Sequence, residues 1–386
     1  MGKNKVSESK KNILIVANCT WYLYNFRRDL LQDLSTQGYN LILLSTLDKY
    51  FVHIEKNFYK VKKLFLMRGS ENLILEFFTI LNILFCYLKY KPVLVHHFTI
   101  KPAIYGSLIS RLLNIKYVIN HITGLGPSFF SNRTNIKILN KILYPIYKYS
   151  FNFKNTKTIF HNISDRDFFI NKKFIKLENA KIIKGSGVNT TFYNNEIEKK
   201  SFNKEIQILF PARLIKEKGI IELINACNEL WKENYHFILN IVGDIDSQNK
   251  SSLKKNDLIE IKGNKKIKLL GKSNKMREIY KKMDIVVLPS WREGLSKSLL
   301  ESSSMKLPII TSDVPGCRDL IKHRYSGLLV PPKNKDQLKK AIKEYLDKPK
   351  LAIEYGINAR KSVLKEFTTI TINKKIIKIY DDLLNK

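Results

Sequence analysis

DIVVLPSWREGLSKSLLESS, residues 284–303, is the stretch on which the reading of this chain turns. Ile285 to Leu288 is a short, apolar, unalternating run, as strands buried on both faces of a parallel sheet are. Pro289 ends it, a loop carries Glu293 and Gly294, and a helix begins near Leu295 or Ser296. Strand, loop and helix in that order belong to an α/β fold, in which ligands collect beyond the carboxyl ends of the strands. Gly294 lets a backbone come close, and the free N–H groups of the helix start make a seat for a phosphate.

The same strand signal repeats on both sides. Ahead of it come NILIVA (12–17), NLILLS (40–45), PVLVH (92–96), YVIN (117–120) and TIF (158–160), with helical segments at 26–37, 103–113 and 136–151 between them. After a polar, lysine-rich stretch the pattern restarts with IQILF (206–210), FILNIV (237–242), IKLL (267–270), IVVL (285–288) and PIIT (308–311). At 386 residues the chain exceeds what one core of ~250 residues usually supports, so two doubly wound domains are expected. Residues 1–11 read as a polar leader, 12–190 as a first Rossmann-like domain, 191–204 as a linker and 205–368 as a second. A last helix, 369–386, has no strand after it and is expected to cross back onto the first domain.

Composition narrows the function classes. Hydrophobic residues at 44% with aromatics throughout describe a packed globular chain, not a disordered one. Four cysteines, Cys19, Cys86, Cys227 and Cys317, lack metal-site or disulfide spacing and fit a reducing cytoplasm. The longest apolar stretch, NLILEFFTILNILFCYLKY (72–90), is interrupted by Glu76, Thr79 and Asn82 and falls short of the ~18–20 residues a span needs. It reads either as a helix packed on a core or as one lying against a bilayer, with Lys89 and Lys91 at its end. The net charge of +34 would attract nucleic acid, anionic lipid or a phosphorylated substrate. Lysine is spread over surface helices everywhere, so charge alone does not choose among them.

Other strand-end loops carry the chemistry. In FPARLIKEKGI (210–220), Arg213 and Lys218 sit between a strand and a helix, where two cations would neutralise a departing diphosphate. Glu293 and Glu301, eight positions apart, would accept hydrogen bonds from a hexose and from a ribose diol respectively. Gly243 and Asp244 in IVGDID, and Leu270 and Gly271 in LLGKS, end strands of the second domain, and Gly187 lies in IIKGSGVNTTFY (182–193) at the domain junction. In the first domain the segments of interest are ANCTWYLYNFRRDL (17–30), HHFTIKPAIYG (96–106) and NHITGLG (120–126). Their histidines His96, His97 and His121 read more readily as structural hydrogen bonders than as catalysts.

Glu293, Gly294 and Glu301, with LPIITSDVPGCRDLI (307–321) following, closely resemble the EGxxxxxxE hallmark of the retaining glycosyltransferases of family 4, which have the GT-B fold. Arg213 and Lys218 match the R-x4-KG of the same family. The resemblance implies two Rossmann-like domains facing across a cleft. It implies catalytic roles for Glu293, Arg213 and Lys218, and donor binding by Gly294, Leu295, Ser296, Glu301, Gly243, Asp244, Leu270, Gly271 and Gly187. The YNFR at 24–27 and the loops at 96–106 and 120–126 resemble transferases that extend a polyprenyl-diphosphate-linked sugar. That implies acceptor contacts from Asn25, Arg27, Lys101, His121, Thr123, Gly124 and Gly126, with Arg27 and Lys101 toward phosphates. The expected reaction moves a hexosyl or N-acetylhexosaminyl group, with retention, from a nucleotide sugar, by expectation UDP-linked, to a lipid-linked saccharide. No metal or resident cofactor is expected, since the cations stabilise the leaving group. The expected place of work is cytoplasmic, peripheral on the inner face of the membrane. A sugar phosphorylase or UDP-sugar epimerase on the same scaffold, or a basic nucleic-acid-binding protein, are the alternatives.

Overall fold

A computed structural model describes residues 11–56, 59–67, 72–125, 129, 144–195, 201–246, 249 and 251–384. It divides the chain into two compact units: residues up to Ile183 together with those from Asn373 on, and Lys184–Ile372. The expected leader lies almost wholly outside the described residues, as do the first part of the helix expected at 136–151 and the middle of the expected linker.

The first unit is built on a parallel sheet of β1 (Asn12–Ala17), β2 (Asn40–Ser45), β3 (Lys60–Lys63), β4 (Leu94–Phe98), β5 (Tyr117–Ile122), β6 (Thr156–Phe160) and β7 (Ala180–Ile182). Their spatial order is 3-2-1-4-5-6-7. β1 lies between β2 and β4, Ile15 standing beside Leu43 and His96. The second unit repeats the plan with β8 (Ile206–Pro211), β9 (Phe237–Val242), β10 (Ile267–Gly271), β11 (Ile285–Leu288), β12 (Ile309–Ser312) and β13 (Leu328–Val330), ordered 10-9-8-11-12-13. Ile208 of β8 stands beside Leu239 of β9 and Ile285 of β11. Each unit therefore reverses direction once, between β1 and β4 and between β8 and β11. In open sheets the ligand crevice opens at that reversal.

Central strands are buried along nearly their whole length, which is why they are unbroken apolar runs in sequence. β3 (KVKK), β7 and β13 were not expected, and each lies at a sheet edge. Lysines at an edge keep other chains from pairing there and hide the strand from an apolar count.

Two boundaries move for physical reasons. The first helix runs from Thr20 to Thr36, six residues earlier than its sequence pattern, because Asp48 from the loop after β2 caps it. Asp48 accepts from Thr20 Oγ1 at 2.6 Å and from the Trp21 N–H at 2.8 Å. Residues 184–190 belong to the second unit rather than the first. Val188 bridges to Thr368, and Gly185 packs on Leu295 with φ +74°. The last helix, Thr369–Leu384, counts with the first unit from Asn373 on, where Asn373 donates to Asp33 at 2.8 Å and Tyr380 reaches His96 at 2.7 Å.

Candidate active site

In the second unit the loops after β8 and β11, the two strands flanking the reversal, lock together. Lys216–Lys218 form one tight turn, Gly219 follows in the left-handed conformation, and the helix Ile220–Lys232 begins. The Trp291 N–H donates to the Glu217 carbonyl at 2.8 Å, and Trp291 Nε1 to Glu222 at 3.0 Å. Between these clamps Lys218 Nζ ion-pairs with Glu293 Oε1, which also accepts from Ser290 Oγ at 2.8 Å. Both members of the pair are largely buried. A lysine and a glutamate far apart in sequence are thus fixed side by side at the strand ends.

Arg213 stands on the other side of the β8 loop, where Nη1 pairs with Asp246 of the loop after β9. Gly243 makes this approach possible. A Cβ there would fall 1.9 Å from the Ala212 carbonyl oxygen. The Leu214 N–H donates to the Asp244 carbonyl at 3.1 Å, and the Gly243 N–H to the Gly271 carbonyl at 3.0 Å. The structure therefore gives Gly243, Asp244 and Gly271 a backbone task, tying the ends of β8, β9 and β10 together. Leu270 is exposed beside them.

Gly294 precedes Leu295, and Ser296 caps the helix Lys297–Ser304, its hydroxyl accepting from the Leu299 N–H. The loop is held from behind by Gly316, where a Cβ would sit 2.3 Å from the Gly294 carbonyl oxygen and 2.6 Å from that of Glu293. This is the packing task of the VPGC segment. Glu301 points inward. Its Oε2 accepts from Tyr280 at 3.2 Å, Lys297 lies 4.0 Å from Oε1, and burial raises its carboxyl above the ordinary range against the opposing pull of Lys297 and the tyrosine hydroxyls of Tyr193 and Tyr280. Cys317, near Glu293, is pushed up to about 12 by burial first, so it stays a thiol. Gly187, with φ +71°, lies against the backbone of Thr369.

The residues expected to meet an acceptor lie in the first unit. Arg27 is 1% exposed: its guanidinium donates to Tyr22 at 3.1 Å and to His121 Nε2 at 3.2 Å and lies 4.7 Å from the Phe98 ring centroid. Among the described residues it has no carboxylate partner. Lys101 pairs with Glu76 at 2.5 Å and donates to the Met67 carbonyl at 3.2 Å. As placed, both cations are engaged within the unit rather than presented to a phosphate. Asn25 donates to the Trp21 carbonyl at 2.9 Å, Thr123 is half-buried, Gly124 has φ +149°, and Gly126 lies outside the described residues.

Because Arg27 always donates, His121 Nε2 must be the bare nitrogen and His161 Nε2, 3.0 Å away, must donate to it. His97 is held between the Asn120 Oδ1 at 2.7 Å and the Tyr87 hydroxyl at 2.6 Å. Burial lowers all four histidines, His97 to about 4 and His161 to about 3, with Arg27 adding to the effect at His96, His121 and His161.

Sequence reasoning passed over Asp246, Ser290, Tyr193, Tyr280 and His161. Asp246, Ser290 and Tyr193 lie inside quoted segments but beside the residues singled out there, Tyr280 and His161 lie outside every such segment, and packing brings each to its partner. Among the described residues no helix is long and apolar enough to cross a membrane.

Comparisons with known proteins find matches over both units. A model of glycosyl transferase 4-like domains matches residues 12–162, and one of glycosyl transferases group 1 matches residues 193–362. The chain is 28% identical over 294 residues to the N,N'-diacetylbacillosaminyl-diphospho-undecaprenol alpha-1,3-N-acetylgalactosaminyltransferase of Campylobacter jejuni, covering 74% of this chain and 75% of that enzyme. It is 26% identical to the UDP-Gal:alpha-D-GlcNAc-diphosphoundecaprenol alpha-1,3-galactosyltransferase of Escherichia coli, covering 77% of each. Sucrose-phosphate synthase of Thermosynechococcus elongatus superposes with a TM-score of 0.77 at 16% identity, covering 97% of this chain and all of that one, and so shares the fold. With a 4-like domain followed by a group 1 domain, each on its own parallel sheet, the chain belongs to the glycosyltransferases and has the GT-B fold.

Proposed function

We propose that this glycosyltransferase moves a hexosyl or N-acetylhexosaminyl group from a UDP-sugar to a lipid-diphosphate-linked saccharide, with retention, at the inner face of the cytoplasmic membrane. The observation that carries the donor half is the Lys218–Glu293 pair at the reversal between β8 and β11, in the loop that runs into the capped helix start at Ser296, with Arg213 in the same β8 loop as Lys218. Two cations and a helix start there suit a diphosphate, and the neighbouring carboxylate suits sugar hydroxyls. The acceptor half is supported by the Campylobacter and Escherichia relatives, whose names both specify an undecaprenol-linked diphosphosugar.

In this reading the bond from the anomeric carbon to the β-phosphate oxygen breaks while the acceptor hydroxyl bonds to the same face of that carbon. The hydroxyl proton passes to the departing phosphate oxygen, and Arg213 and Lys218 stabilise the charge that gathers there. Glu293 holds the sugar. Glu301 serves the ribose by turning from Tyr280, and Gly294, Leu295 and Ser296 line the phosphate seat. The charge is supplied by side chains, so the reaction runs without a metal ion.

The test pairs purified protein with each of several UDP- and GDP-sugars and a short polyprenyl-diphosphate sugar, with and without EDTA. A UDP-sugar should give a product whose new bond, by NMR, keeps the donor's anomeric configuration, at a rate EDTA leaves unchanged. Inverted product, preference for a GDP-sugar, or loss of turnover in EDTA would each overturn the matching part.

A further inference from the structure

The helix Leu73–Tyr90 is apolar on two sides, and only one of them has a core to face. Ile83 and Tyr87 are buried with Val95, Ile109 and Val118 in the core beneath the sheet. On the opposite side Ile74 (67% exposed), Phe77 (56%), Phe78 (55%) and Phe85 (65%) stand out in the solvent, with Leu88 continuing the row. Positions 74, 77, 78, 85 and 88 fall on one helical stripe. A helix that is apolar all round is ordinarily enclosed on every side, and exposed apolar ridges of this extent mark contact surfaces.

The three polar residues that interrupt the stretch are all spent inward. Glu76 takes the Lys101 ammonium at 2.5 Å and the Tyr105 hydroxyl at 2.7 Å. Thr79 Oγ1 donates to the Phe65 carbonyl at 2.5 Å, and Asn82 Oδ1 accepts from the Phe65 N–H at 3.2 Å. These last two bonds pin the segment after β3 along the helix. Leu64 and Leu66 go into the core, so Phe65 and Met67 are turned outward beside the phenylalanine row. The polar breaks thus widen the ridge instead of diluting it.

Cations border it. Lys63 Nζ lies 5.1 Å from the Phe65 ring centroid, Lys89 stands in the last turn, and exposed Lys91 closes the helix. Aromatic and aliphatic groups on a stripe with lysines at the margin are the composition of an interfacial helix on an anionic bilayer, rings in the headgroup–acyl boundary and ammonium groups at the phosphates. The chain's net charge of +34 favours the same surface. We propose that the exposed row of this helix, with Phe65 and Met67, seats in an anionic lipid bilayer and holds the first unit on the membrane. The proposal rests on the reading that the acceptor is borne by a membrane, and locates the surface that reads the lipid.

The experiment is sedimentation of the full chain with large vesicles that carry no acceptor, either phosphatidylcholine alone or with about 30% phosphatidylglycerol, chosen because anionic lipid adds attraction for each surface lysine. The protein should bind the anionic vesicles and be weakened by salt. The combined variant Phe77→Ser, Phe78→Ser, Phe85→Ser should lose at least ~10-fold in partitioning, since one ring kept in water is worth about that factor. Its melting temperature should stay at that of the wild type, as these rings are exposed. Lys63→Glu with Lys89→Glu should lose the preference for anionic over neutral vesicles, and decides the matter if the serine variant does not fold. No binding by the wild type, wild-type binding by the serine variant, or a wild-type dimer that this variant makes monomeric would overturn the proposal. Vesicle binding without transfer to any polyprenyl-diphosphate sugar would leave the docking surface standing and remove the acceptor reading.

Discussion

Lys218 and Glu293 meet as an ion pair at the reversal of the second sheet, although the two residues come from loops on different strands. Because each partner is mostly withdrawn from water, removing one leaves the other's charge uncompensated. Glu293→Ala should therefore lower stability by ~1–3 kcal/mol as well as abolish transfer. Lys218→Ala should cut kcat by ~10²–10³, the loss typical of one preorganised charge-stabilising group. Parallel melts and initial rates check this. Full turnover by either variant would remove the site from the mechanism.

Arg213 and Asp246 make a second, more exposed pair, and in the proposed reaction a diphosphate displaces the carboxylate to reach the guanidinium. Such pairs are worth ~0.2–1 kcal/mol. Asp246→Asn should accordingly tighten UDP by about 1.4- to 5-fold in calorimetry, and Arg213→Ala should weaken it. Looser binding by Asp246→Asn would mean that the carboxylate orients the arginine for the phosphate instead of competing with it.

Gly316 supports the Glu293 loop from behind, and the atoms a Cβ would strike there are backbone, which cannot swing aside. Gly316→Ala should cost ~1–3 kcal/mol by overpacking and reduce transfer by displacing Glu293. Gly263, with nothing within 4 Å of its Cβ position, is the control. Its alanine variant should melt at or above the wild-type temperature. Equal behaviour of the two variants would show that the loop tolerates the shift.

How much of this was legible follows from what burial does to sequence. Central strands such as NILIVA and IVVL are covered on both faces and announce themselves as apolar runs, and Glu293, Gly294, Arg213 and Lys218 are found because they follow such runs. KVKK at β3 is silent because an edge strand needs charge more than apolarity. The start of the first helix is silent because its cap, Asp48, arrives from another loop. Asp246 and Tyr280 are silent for the same reason: they become part of the site only once β9 and the helix before β11 are in place. The outward row of helix 73–90 is plain in composition, but whether a core or solvent meets each side is decided by which strands lie beneath it.

The histidines of the first unit give the protein a stability that acid removes. Burial, aided at three of the four by Arg27, holds His96, His97, His121 and His161 below the ordinary imidazole range, so the unfolded chain takes up protons that the folded one refuses. A base whose folded pKa is depressed contributes its full stability above the unfolded value of ~6.5. That contribution is lost as pH falls from there toward the folded values of about 4 for His97 and about 3 for His161. Each such histidine should cost up to ~1.4 kcal/mol per pH unit in that window. The melting temperature should thus drop steeply between pH 7.5 and 5.5. His161→Gln, which keeps a neutral hydrogen-bonding group beside His121 but cannot take a proton, should flatten the slope by about one proton's worth. An unchanged slope in that variant would mean that His161 finds a way to be charged inside the fold.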